Sequence, residues 1–166
     1  ANWVSEQRQA KNIFQNFNEM FDLESFEDAY LVQDALETVW AHKGDVIGYK
    51  LALTSKPMQN MFGVSTPFKG NLFSETILKG DQVISLKNYG RLGVEFELAI
   101  EIGEDFGTNS NDLTVEKCMS KVSAVYPAFE LIDDRKADYS KVNLISTTAD
   151  NSWNANTVLG LSLIHI

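Results

Sequence analysis

Near the start of the chain, the apolar residues Trp3, Ile13, Phe14, Phe17, Met20 and Phe21 recur among polar ones at helical spacing. That pattern predicts a helix over 3–22 whose apolar stripe is core. Ser25 opens the run Ser-Phe-Glu-Asp, a capping box with Asp28 where Glu or Gln is usual. A second helix is expected over 26–42, burying Ala29, Leu31, Val32, Ala35, Leu36, Val39 and Trp40, and Gly44 ends it. Beyond Gly44 the period changes. DVIGYKLALTS is short, branched and aromatic, and reads as a strand. SKPMQNMFG reads as a short helix with Pro57 in its first turn, VSTPFKGNLF as a loop, and 76–79 and 82–86 as two short strands. In GVEFELAIEIG the alternation is strict: Val94, Phe96, Leu98 and Ile100 against Glu95, Glu97, Ala99 and Glu101. Residues 113–125 read as helical, and YPAFELI and TVLGLSLI as extended. Helices followed by strands make the expected class α+β, with a helical portion, 1–44, ahead of a β-rich portion, 45–166.

Composition narrows the function classes. The chain has 166 residues with ordinary apolar and charged content, enough for one domain with a core. Fourteen Lys and Arg against 23 Asp and Glu give a formal net charge of −9. Such a chain repels phosphate backbones and anionic membranes, so neither nucleic acid nor a membrane is an expected partner. One cysteine, Cys118, excludes an internal disulfide and a thiolate zinc site, and it is expected as a buried thiol on a helix. The two histidines, His42 and His165, have no metal-ligand or triad context. No apolar run reaches membrane-spanning length and no signal-like segment opens the chain, so a cytoplasmic location is expected.

The strongest chemical signal is the pair Glu95 and Glu97. Residues two apart on a strand share a face, and two carboxylates there repel unless a cation sits between them. A hard ion such as Mg²⁺ or Mn²⁺ takes oxygen ligands of this kind. The competing reading is the solvated face of an amphipathic strand. The segment PAFELIDDR offers Glu130, Asp133 and Asp134 as a third carboxylate, and Glu130 lies in its apolar part, where a carboxylate needs a partner. That partner is either a metal shared with Glu95 and Glu97 or a neighbouring Lys or Arg. Lys50, inside IGYKLAL, is either an acid/base or anion anchor, or a structural ion-pair lysine. Asp150 and Asn151, in TTADNSW, stand beside a strand, where turn capping is the plain alternative. No glycine-rich phosphate loop is present.

These segments, DAYLVQDAL, GYKLALTSKPMQNMFGVSTPFKGNLF, GVEFELAIEIGEDF, YPAFELIDDR and TTADNSWNANTVLG, resemble in content and order the 2-keto-4-pentenoate hydratases and 4-oxalocrotonate decarboxylases of the fumarylacetoacetate hydrolase superfamily. The resemblance runs from about residue 22 to 160. It implies a mixed, partly rolled β-structure after the helical portion. It also implies Mg²⁺ or Mn²⁺ on Glu95, Glu97 and Glu130, Lys50 as a catalytic residue, and Asp150 and Asn151 at the substrate pocket. The implied reaction is lyase chemistry on a small 2-oxo acid through a metal-stabilised enolate: hydration of a 2-hydroxydienoate, or decarboxylation as the alternative. A homo-oligomer is a further implication. Two departures stand out. Where hydratases carry an Asp in a PDFG-like loop, this chain has Pro67-Phe68-Lys69-Gly70. Family members also continue past the Val-Leu-Gly segment, so the C-terminal strands are expected to be missing here. A non-catalytic small-acid-binding or partner-binding protein is the rival reading.

Overall fold

The computed structural model describes residues 1–107 and 113–165, the last two by backbone only. Helix α1 (Asn2–Gln9) is followed by an irregular segment with one 3₁₀ turn (Glu19–Phe21), then by α2 (Phe26–Val39). Strand β1 (Val46–Ala52), α3 (Lys56–Phe62), β2 (Phe68–Phe73) and β3 (Ile77–Lys79) come next. The remainder is β4 (Leu92–Ile102), α4 (Val115–Met119), β5 (Val122–Asp133), α5 (Leu144–Ala149), β6 (Asn154–Leu159) and β7 (Ile164–His165). The class is α+β, as expected.

Strands β1 and β2 form an antiparallel pair. A mixed sheet runs β3-β6-β5-β4, with β3 parallel to β6 and the other pairs antiparallel, while β7 joins β5 beyond β6. Strand β4 is one edge of this sheet, paired with β5 along its whole length. The core gathers Val4, Phe14, Phe17, Ala29, Leu36 and Trp40 with Phe73, Ile132, Ala137, Ala149 and Trp153. It therefore draws on residues from both sides of Gly44. Gln33 of α2 is wholly buried, and its Nε2 donates to the carbonyls of Lys69 and Thr148, tying the helix to β2 and α5.

Several expectations are corrected. The helix expected over 3–22 stops at Gln9, and Lys11 takes a left-handed φ of 53°. Beyond it the backbone finds tertiary partners in place of the i−4 carbonyls. Phe14 N–H donates to the Arg135 carbonyl, and the N–H groups of Phe17 and Asn18 both donate to Ser146 Oγ. Phe14 and Phe17 are core, but Ile13 and Met20 are exposed. Helix α2 carries the expected capping box: Ser25 Oγ accepts from Asp28 N, and the Asp28 carboxylate accepts from Ser25 N. Such a cap contributes about 1 kcal/mol.

The segment read as a loop contains β2. Pro67 sits just ahead of the strand and Gly70 within it, so the turn signals mislead. Residues 82–86 are not a strand, and Val83 and Leu86 point into solvent. The expected helix 113–125 shrinks to α4, capped by Thr114, because the period-two run from Val122 belongs to β5. Helix α5, which the sequence reading lacked, is capped by Asn143 Oδ1. Cys118 is a free thiol on α4, only partly buried.

Candidate metal centre

Register builds the site. On β4 and β5, Glu95 lies directly opposite Glu130, and Glu97 follows two residues along the same face. The ligand oxygens of Glu95, Glu97 and Glu130 all lie within 4.8 Å of one another. Among the described residues this is the one cluster of three or more metal-capable side chains. Like charges placed directly opposite on a sheet repel, so the arrangement calls for positive charge. One source is already present: Lys50 of β1 reaches over this face, with Nζ 3.2 Å from Glu130 Oε2. Of the two expected partners of Glu130, the basic side chain is present, and the two acids expected to share a metal with it stand beside it.

Glu130 is buried and Lys50 nearly so, whereas Glu95 and Glu97 reach solvent. The cluster thus has a fixed floor and an open mouth. Glu130 Oε1 accepts from Asn154 Nδ2 at 2.9 Å. A carboxylate offers about four lone-pair directions, so two bonds leave Glu130 with room for a cation. Three carboxylates in reach of each other, one of them held by neighbours, form an all-oxygen donor set that suits a hard divalent ion. Partial burial raises the pKa of Glu95; Lys50 opposes that shift and Glu130 adds to it. Partial burial also raises Glu97, followed by the charges of Glu130 and Glu95, again with Lys50 opposing.

The other acids near Glu130 are committed elsewhere. Asp133 accepts from the backbone N–H groups of Gly90, Arg91 and Arg135, and Asp134 takes both ends of the Arg91 guanidinium plus the Tyr139 hydroxyl. Asp150 is fully enclosed, accepting from Arg8 Nε at 2.5 Å and Arg135 Nη2 at 2.5 Å. Asn151 mimics a strand neighbour: its Oδ1 accepts from Asn71 N at 2.6 Å and its Nδ2 donates to Asn71 O at 3.0 Å. Both side chains bond to the chain itself. Asn151, Ser152 and Trp153 all have φ near +50 to +60°, a sharp turn that delivers the chain into β6. Gly70 makes room for it, because a Cβ there would meet the Asn151 carbonyl oxygen at 2.7 Å.

The unusual Pro67-Phe68-Lys69-Gly70 segment divides between the two sides of β2. Phe68 is buried and stacks on Phe26 at 6.0 Å between ring centroids. Lys69 Nζ lies 3.1 Å from Asn71 Oδ1 and 4.4 Å from the Tyr49 ring centre. Alternation along β1 sets Tyr49 on the face opposite Lys50, so Lys69 points away from the carboxylates. Sequence reasoning missed Arg8, which clamps Asp150, and Asn154, which holds Glu130. No local motif announces either residue.

No family model matches the chain. It is 31% identical over 135 residues to a 2-keto-4-pentenoate hydratase of Paraburkholderia xenovorans (strain LB400), covering 81% of this chain and 49% of that protein. It is 33% identical over 146 residues to a 2-hydroxypent-2,4-dienoate hydratase of Pseudomonas putida, covering 84% of this chain and 62% of that protein. The solved 4-oxalocrotonate decarboxylase of Pseudomonas putida G7, complexed with magnesium and adipate, superposes with a TM-score of 0.85 at 22% identity. That match covers 96% of this chain and 60% of the decarboxylase.

The fold is thus that of the decarboxylase. In sequence the chain is similar to 2-keto-4-pentenoate and 2-hydroxypent-2,4-dienoate hydratases. The chain spans about half the length of the first-named relative.

Proposed function

We propose that the chain carries the metal-binding part of a lyase acting on a small 2-oxo acid, with hydration of a 2-hydroxypenta-2,4-dienoate-like substrate as its reaction. The observation that carries this reading is the convergence of Glu95, Glu97 and Glu130 within 4.8 Å beneath the Lys50 ammonium. The hydratase names of the relatives support it. Mg²⁺ is the preferred ion, in line with the magnesium in the decarboxylase complex, and Mn²⁺ suits the same oxygen donors. A divalent ion held there would act as a Lewis acid, stabilising the negative charge that develops on the 2-oxo oxygen.

The chain's own residues do the rest. Glu95 and Glu97 form the open rim and Glu130 the buried floor. Lys50 holds a proton at Nζ where the substrate carboxylate would enter, so it serves as an anion anchor and proton donor. Asp150 and Asn151 serve by fixing the 150–154 turn against Arg8, Arg135 and β2.

A second reading, decarboxylation, is favoured by Phe68, an apolar residue where hydratases of this family carry Asp. The first test is calorimetric titration with oxalate, a small planar diacid, with and without Mg²⁺. Binding that requires Mg²⁺ and is lost in E97Q is the expected result. Oxalate binding that ignores the metal, or no binding at all, refutes the metal reading. Water addition to 2-hydroxypenta-2,4-dienoate, followed by loss of the diene absorbance, then decides against CO₂ release from 4-oxalocrotonate.

A further inference from the structure

Strands β5 and β6 are not in simple register. Leu131 pairs with Asn156, but the next residue, Ile132, pairs with Asn154, so Ala155 is an extra residue on β6. In a regular strand Asn154 and Asn156, two residues apart, would share one face of the sheet. The bulge breaks that alternation, and the two asparagines part company. Asn156 turns to the far face, where its Oδ1 accepts from the Tyr89 hydroxyl at 3.0 Å and its Nδ2 donates to the Thr76 carbonyl at 3.3 Å. Asn154 turns to the carboxylate face, nearly sealed from solvent, and donates to Glu130 Oε1. A bulge that re-aims one side chain is a recurrent device beside functional sites.

Asn154 is also held from its own backbone. Arg8 Nη1 donates to the Asn154 carbonyl at 2.7 Å while Arg8 Nε grips Asp150. The left-handed turn at Asn151–Trp153 ends at Asn154 itself. A bulge, a buried ion pair and a strained turn thus converge on the direction of one amide.

We propose that Asn154 is a positioning residue for the carboxylate cluster. Its Nδ2–H fixes Glu130 in the rotamer that places the carboxylate beside Glu95 and Glu97, while Lys50 engages the other oxygen. This inference rests on the metal reading above and deepens it. A side chain that orients a metal ligand through a hydrogen bond typically changes metal affinity by about 10- to 100-fold when removed.

The test is Mn²⁺ binding to the chain, measured by loss of the free-ion paramagnetic resonance signal, with thermal melts run in parallel. N154A removes the donor. N154L removes it while filling the space, in case the smaller side chain loosens the fold. N156A deletes an asparagine of the same strand that faces away, and E97Q deletes a ligand. The expected result is Mn²⁺ affinity weakened about 10-fold or more in N154A and N154L, with the parent value retained in N156A. The resonance of the saturated N154 variants should also differ in line shape from the parent, because Glu130 then sits in another rotamer. Parent-like affinity in both N154 variants, beside lost affinity in E97Q, overturns the positioning role and leaves the metal reading standing. Equal weakening in N156A also overturns it, since the effect is then general loosening. A parent chain that binds no Mn²⁺ overturns both.

Discussion

Neutralising Glu97 should invert the stability order of parent and variant when a divalent ion is added. Without metal, Glu97 faces two carboxylates, Glu130 and Glu95, and is relieved by one ammonium, Lys50. To first order, one repulsive pair is left unbalanced. For two unit charges at the 4.8 Å upper limit of their separation, Coulomb's law gives at least about 0.9 kcal/mol at the dielectric of water and about 3.5 kcal/mol at an effective value of 20. Glu97 is open to solvent, so the lower end applies, and E97Q should gain about 1 kcal/mol. For a chain of this size that corresponds to about 2–4 °C in melting temperature. The folded pKa of Glu97 is raised, so at intermediate pH the folded state binds more protons than the unfolded one, and stability falls as pH rises through that window. The advantage of E97Q is therefore present at pH 7 and vanishes below the ordinary glutamate range, near pH 4.

Mg²⁺ at about 100 times its dissociation constant should add roughly 2.7 kcal/mol to the parent and little to E97Q. Parallel melts at pH 7 and pH 4, with and without Mg²⁺, make the measurement. If E97Q melts below the parent without metal, or if Mg²⁺ raises both proteins equally, the electrostatic reasoning is wrong.

Three further outcomes follow from the geometry. D150N leaves Arg8 and Arg135 without their shared counter-charge in the interior, and should cost about 3–5 kcal/mol in denaturant unfolding; a cost under about 1 kcal/mol would show the clamp to be dispensable. G70A forces a Cβ against the Asn151 carbonyl oxygen and should destabilise by about 1–3 kcal/mol; a neutral substitution would mean that β2 and the 150–154 turn part without penalty. Lys43, whose Nζ lies 3.6 Å from the centre of the Trp40 ring, has its pKa lowered to about 7 by burial and then by Arg8, against the pull of Asp150. Methyl-labelled Lys43 should titrate near that value by NMR. Because this pKa is depressed, the unfolded state binds the extra proton between about 7 and the ordinary lysine value near 10.4. The parent should therefore gain stability over K43M as pH rises through that window, and a lysine titrating normally would refute the assignment.

How legible the molecule was in its sequence varies by element. Strand β4 was plain because its two faces differ in chemistry at every step, and α2 because its cap and its stripe agree. The stretch after Gln9 was not legible. Its aromatic spacing fits a helix, yet the Phe14, Phe17 and Asn18 amides are taken by Arg135 and Ser146, more than a hundred residues away. Local periodicity carries no information about such partners. Strand β2 was hidden by Pro67 and Gly70, the latter needed for close approach to Asn151 and not for a turn. At the site, period two puts Glu95 and Glu97 on one face, while their reading as metal ligands over a solvated face comes from the family resemblance. The apolar run shows that Glu130 needs a partner, but only the family resemblance singles it out from Asp133 as the third ligand. The inward commitment of Asp150 and Asn151 could not be read locally, since Arg8 and Asn71 lie far off in sequence. Asn154 depends on a bulge, and a one-residue insertion in a ladder leaves no compositional trace.

The alternation of β4 also acts as proofreading. Val94, Phe96, Leu98 and Ile100 are more than half exposed on the face away from the carboxylates, so burial of an apolar face does little to choose the strand's register. The choice falls to the other face. A slip of one residue against β5 would turn Glu95 and Glu97 outward and set Val94, Phe96 and Leu98 against the buried Glu130 and Lys50. The ladder hydrogen bonds would survive such a slip, but the chemistry facing Lys50 would not. The charges that make the site are thus the same ones that certify the strand is in its proper place. A single-residue deletion between Gly93 and Glu95 would erase the cluster while leaving the sheet almost intact.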